Sequence, residues 1–117
     1  MDLPELIEEL SHLTAPSRRV DAKLALVAGW QRKATRTKGD VNVIWLFPGE
    51  EVSRLPEFTN SLDAALELVG ILAPGHVGGF SWGGGGKAQL NDGEIAEGVN
   101  PAVALCLAAL KARRRNA

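Results

Sequence analysis

Residues capable of chemistry are few in this chain, and their spacing is unfavourable to most reactions. Lys87, preceded by the four glycines Gly83 to Gly86, comes nearest to a phosphate-binding loop, in which backbone amides and a lysine cradle phosphate oxygens. The spacing fails: Ser81 occupies the place of the leading glycine, and Ala88 replaces the hydroxyl expected after the lysine. No helix signal follows to supply a dipole for an anion. The run is therefore expected to be a hairpin tip whose glycines permit positive φ. His12 and His76 lie far apart and form no metal-binding pair, and Cys106 falls on an apolar helical stripe, where a thiol is an inert small hydrophobe. Asp92, Glu94 and Glu97 surround a turn, where carboxylates are solvated rather than paired as acid and base. No nucleophile, base and orienting group can be assembled. The expectation is a binding protein, not an enzyme, with no catalytic residue, metal or cofactor.

Binding residues are easier to name. Ten of the 13 Lys and Arg residues fall in three clusters: Arg32, Lys33, Arg36 and Lys38; Lys111, Arg113, Arg114 and Arg115; and Arg18 with Arg19. Convergence of these clusters on one face would neutralise several phosphates, so nucleic acid is one expected partner. Acidic residues make a second set, Glu5, Glu8 and Glu9 near the start and Glu50, Glu51 and Glu57 further on. These could present carboxylates to a basic channel in a protein partner. Of the three tryptophans, Trp30 and Trp45 suit a core, whereas Trp82 beside the glycine run is the candidate interface anchor.

The whole chain narrows the setting. Its 117 residues make one domain with one core, and 45% hydrophobic with 23% charged residues is an ordinary globular composition. A formal net charge of −1 gives no global pull toward nucleic acid or membrane. The single cysteine excludes an internal disulfide. No apolar run approaches membrane-spanning length, and the acidic, proline-containing start is unlike a signal peptide, so a cytoplasmic protein is expected.

The elements that must position these residues follow from periodicity. Asp2, Pro4 and Glu5 signal a helix start, and Leu3, Leu6, Ile7, Leu10 and Leu13 recur at helical spacing up to Pro16. Residues 1–15 thus form an amphipathic first helix, placed at the periphery of the domain. Ser17 caps a second helix with Val20, Leu24 and Val27 inward and Gly29 as its stop. Gln31 to Asp40 shows no apolar period and reads as a polar, basic loop. Val41 to Phe47 favours a strand, stopped by Pro48-Gly49, and Glu50 to Glu57 reads as an exposed connection. Ser61 or Thr59 caps a third helix with Leu62, Ala65, Leu66, Val69 and Leu72 on one face, ended by Pro74-Gly75. Strands are expected at His76 to Trp82, Lys87 to Leu90 and, after Asn91-Asp92-Gly93, Glu94 to Glu97. Asn100-Pro101 opens a last helix with Val103, Cys106, Leu107 and Leu110 inward, and residues 112–117 form a basic tail. The order is α-α-β-α-β-β-β-α: an α+β fold with a small antiparallel sheet of three to four strands packed with helices.

Two segments carry a family resemblance. Phe58 to Val69, reading Phe-Thr-Asn-Ser-Leu-Asp-Ala-Ala-Leu-Glu-Leu-Val, and Asn100 to Leu110 together resemble the phage ABA-sandwich domain of small phage and prophage proteins. Gly29-Trp30 and the strand through Phe80 and Trp82 extend the match to about half of the chain, while the four glycines and the basic segment before Val41 depart from it. The resemblance implies helices on a small antiparallel sheet, a bacterial host, and no defined chemistry. In that context the sharpest expectation is stoichiometric binding to a host protein, such as inhibition of a defence component in the manner of an anti-CRISPR protein. Nucleic-acid binding through the basic loop and tail is the alternative. A third is an oligomeric assembly protein, self-associating through an exposed sheet edge or the first helix.

Overall fold

The computed structural model describes residues 3–47 and 51–115. It is an α+β fold of four helices and two separate three-stranded antiparallel sheets. Helices α1 (Leu3–Ser11) and α2 (Arg18–Val27) come first, followed by strands β1 (Gln31–Thr37), β2 (Asp40–Phe47) and β3 (Glu51–Ser53). Helix α3 (Leu62–Leu72) precedes β4 (Gly78–Trp82), β5 (Gly86–Leu90) and β6 (Ala96–Gly98), and α4 (Pro101–Arg115) closes the order. The sheets run β1-β2-β3 and β4-β5-β6, each with the middle strand central.

The core is built around α4. Every residue from Ala102 to Leu110 is buried, because β4, β5 and β6 pack on one side of the helix and α1 and α3 on others. Leu6, Ile7 and Leu10 of α1 are buried in this same core, so the first helix is an integral layer. The basic tail is largely the last turn of α4, where Arg113, Arg114 and Arg115 suit the negative end of the helix dipole.

Caps and stops lie where the sequence places them. Ser17 and Ser61 accept from the backbone N–H groups of Val20 and Ala64, and Asn100 accepts from Val103 N–H. Thr59 caps nothing. It is fully buried, its N–H and hydroxyl both donating to Asp21 Oδ1 at 2.8 Å. Helix α3 differs in its buried face: Ala65, Leu68, Val69 and Leu72 point inward, while Leu62 and Leu66 are exposed. The helix lies against α4 at a rotation that the apolar residues of both its faces leave open.

The larger correction concerns Gln31 to Asp40. The expected basic loop is strand β1 and a tight turn, paired with β2 from Gln31↔Leu46 to Thr37↔Asp40. The turn residues Lys38 and Gly39 have φ of 52° and 85°, the mirror-image two-residue turn that matches strand twist. The expected exposed connection after Glu50 likewise contains a strand, β3, registered Trp45↔Ser53 to Phe47↔Glu51. These two strands produce the second sheet, where one sheet was expected. Pro48, Gly49 and Glu50 lie outside the described residues.

The glycine run is a hairpin tip. Gly83, Gly84 and Gly85 take φ of 113°, 66° and 112°, joining β4 to β5. Gly86 serves a different need, since a Cβ there would sit 2.4 Å from the Pro101 nitrogen, so β5 could not approach the start of α4. The last expected strand, Glu94 to Glu97, is shifted to Ala96–Gly98 behind a longer loop.

Candidate nucleic-acid interface

Strands β1 and β2 form a projecting arm. Among the described elements their sheet touches the remainder of the fold only where β1 meets α2. The root is fixed by buried Trp30 and Trp45, with the Trp30 and Phe47 rings edge to face at 4.9 Å and 85°. The Trp30 Nε1 group finds no acceptor among the described residues. Beyond the root nearly every described side chain is exposed. Seven strand residues extend roughly 23 Å at the usual rise. The molecule measures 51 × 28 × 24 Å, and its radius of gyration of 14.6 Å exceeds the roughly 13 Å of a compact chain this long.

The arm collects one charge cluster. Arg32, Lys33, Arg36 and Lys38 are all exposed, and among the described residues none takes part in an ion pair. Asp40 is the one carboxylate on the two strands. Register sorts the cations. Arg32 and Arg36 share a face with Val41, Val43 and Trp45, Lys33 shares the opposite face with Ile44 and Asn42, and Lys38 stands at the tip. Val41 and Val43, 56% and 40% exposed, form an apolar stripe beside the two arginines.

At the root the arm borders a shallow groove lined by Arg18, Val43, Trp45, Val52 and Arg54. Arg18 is occupied: it donates to Asp21 Oδ2, Pro56 O and Leu55 O. Arg54 is exposed and enlarges the basic surface. As an isolated cation it carried no sequence signal. Arg113 borders a depression with Leu26 and Val27, at the end of α2 from which the arm departs. Arg115 lies instead against Gly93. The three clusters are thus only partly united: Arg18 borders the arm itself, and Arg113 lies by the end of α2.

The acidic candidates do not form one surface. Glu9 is committed internally, bound by Arg19 and by Lys23 Nζ at 2.6 Å. Glu8 stands one helical turn before His12, 3.7 Å from Nδ1. Glu5 and Glu57 are exposed, and Glu51 is in β3, which makes no contact with α1. Trp82 is 79% exposed at the end of β4. Lys87 lies 3.7 Å from the Glu97 carboxylate across the sheet, and it is followed directly by the rest of strand β5, not by a helix.

Elsewhere the polar interior is structural. Asn100 donates to Thr59 O, and the Cys106 thiol donates to Phe58 O, so Phe58 and Thr59 join α2, α3 and α4. Burial, and secondarily the Asp21 carboxylate, push the Cys106 thiol far above its ordinary range. Among the described residues no three His, Cys, Asp or Glu side chains gather around a metal-sized space, and no helix is long and apolar enough to cross a membrane. In comparison with known proteins, the chain matches no family model, and no curated protein or solved structure is significantly similar to it.

Proposed function

We propose that this protein binds nucleic acid, with the β1–β2 arm entering a groove of a duplex. The observation that carries this reading is the distribution of cations on the arm: Arg32 and Arg36 on one face, Lys33 on the other and Lys38 at the tip. A two-stranded ribbon fits the major groove of a duplex, where phosphates flank it on both sides. Arg32 and Arg36 can turn to the base edges from one face, while Lys33 on the other and Lys38 at the tip are free to reach the flanking phosphates, whereas a ribbon lying flat on a protein would need cations on only one face. The small net charge of −1 is no obstacle, because the field that a phosphate meets is local. Arg54 at the root and Arg113 near the end of α2 extend the contact to the body.

Binding of a labelled duplex, followed by fluorescence anisotropy over a salt series, tests the proposal. Four phosphate contacts give a slope of about −3.6 in log K against log salt. Affinity that does not change with salt, or that survives replacement of Arg32, Lys33 and Arg36 by alanine, contradicts it. A host protein as partner, including a defence component, has exposed Trp82 as its supporting observation. Retention of a stoichiometric bacterial protein through nuclease treatment, lost in Trp82→Ala, would favour that second reading.

A further inference from the structure

We infer that strand β4 is a self-association edge, pairing antiparallel with β4 of a second copy about a twofold axis at Phe80. The two sheets end in four edges, and three are guarded in the usual ways. Strand β1 carries Arg32, Lys33 and Arg36, while β3 and β6 are three residues long and include Glu51 and Glu97. Strand β4 reads Gly-Gly-Phe-Ser-Trp, with no charge and no proline, and all five residues are exposed. It is the unguarded edge.

Backbone geometry limits the register to those that set outward residues opposite outward ones, and the side chains choose among them. Asn91 N–H donates to Val77 O at 2.7 Å, so Val77 turns its hydrogen-bonding groups toward β5. Antiparallel alternation gives the same inward direction to Gly79 and Ser81, and directs the N–H and C=O of Gly78, Phe80 and Trp82 outward. A twofold centred on Phe80 places Phe80 opposite its own copy and each Gly78 opposite Trp82 of the other chain. All three outward residues then fall in hydrogen-bonded pairs. A register moved by one residue would bring outward groups against inward ones.

Side chains agree with that register. Gly78 must be glycine, since a Cβ would lie 2.2 Å from Gln89 O, and this leaves bare backbone at the edge. Trp82 of the second copy would cover that backbone, as an aromatic residue does opposite an edge glycine. The two Phe80 rings would meet at the axis, and no like charges would be brought together within the strands. The product is a continuous six-stranded sheet. This inference is independent of the nucleic-acid reading, because β4 lies outside the arm sheet.

Sedimentation velocity across a concentration series reads the mass, and cysteine pairing reads the register. The protein should pass from 12.4 kDa toward twice that mass as concentration rises. Phe80→Lys, which sets two lysines across the axis, and Trp82→Ala should remain monomeric with unchanged circular dichroism. Gly79 and Ser81 of the second copy fall in a non-hydrogen-bonded pair with Cα atoms about 4.5 Å apart, within disulfide reach. Gly79→Cys with Ser81→Cys in one chain should therefore form disulfide-linked dimers on mild oxidation, and neither single variant should do so efficiently. A 12.4 kDa mass at every concentration overturns the inference, as does a dimer unaffected by Phe80→Lys or cross-linked equally by both single variants.

Discussion

Asp21 is 1% exposed and yet carries no ordinary burden of an unpaired buried charge, because each carboxylate oxygen is matched. Oδ1 accepts from the N–H and hydroxyl of Thr59, and Oδ2 accepts from Arg18. Arg18 goes on to the Leu55 and Pro56 carbonyls, so one carboxylate links the start of α2 to the chain returning from β3. Asp21→Ala should lower unfolding free energy by about 3 kcal/mol, read by urea denaturation, because the Thr59 amide would remain buried without an acceptor. A loss below about 1 kcal/mol would mean that water enters and satisfies the site. Cys106 offers a second check. Its folded-state proton affinity is raised, so its contribution is fully present below the ordinary thiol value and is lost as pH rises through and above that range. Stability should therefore fall above about pH 8.5, less so in Cys106→Ala, and the native thiol should resist alkylating reagents.

At the scale of elements, local signals were readable and non-local ones were not. Ser17, Ser61 and Asn100 announce helix starts through short-range hydrogen bonds, and all four helices lie where periodicity places them. Strand β1 was hidden because an arm exposed on both faces has no apolar alternation to reveal its period. The usable clue was Thr37-Lys38-Gly39-Asp40, a two-residue turn with lysine where asparagine is commoner. The cations were nameable from sequence, but their division between two faces follows from the β1–β2 register. Gly39→Val should cost the arm roughly 1–2 kcal/mol, since a β-branched residue would be forced into the left-handed region. Hydrogen exchange should then quicken along β1 and β2 while α4 keeps its protection. Ser61→Ala, by contrast, should cost about 1 kcal/mol of global stability through its lost cap.

The whole molecule separates two tasks. The core around α4 is closed by β4–β6 and by helices α1 and α3, and it uses its glycines and buried polar groups for packing. The arm contributes little to that core and is anchored through two tryptophans, so its outer residues are free to serve a ligand. Changes on the outer arm should consequently separate binding from stability. Arg32→Ala and Lys33→Ala should each reduce the salt slope by about 1. Their urea midpoints should stay close to that of the unaltered protein, because exposed substitutions of this kind change stability by less than about 0.5 kcal/mol. Duplex binding by the arm is decided by the salt-dependent affinity of the protein for a DNA duplex, taken beside the Arg32, Lys33 and Arg36 triple alanine variant. A steep slope, near −3.6, is expected for the unaltered protein, falling by about 3 in the folded variant. Equal slopes for the two proteins, or no binding at low salt, would contradict duplex binding by the arm.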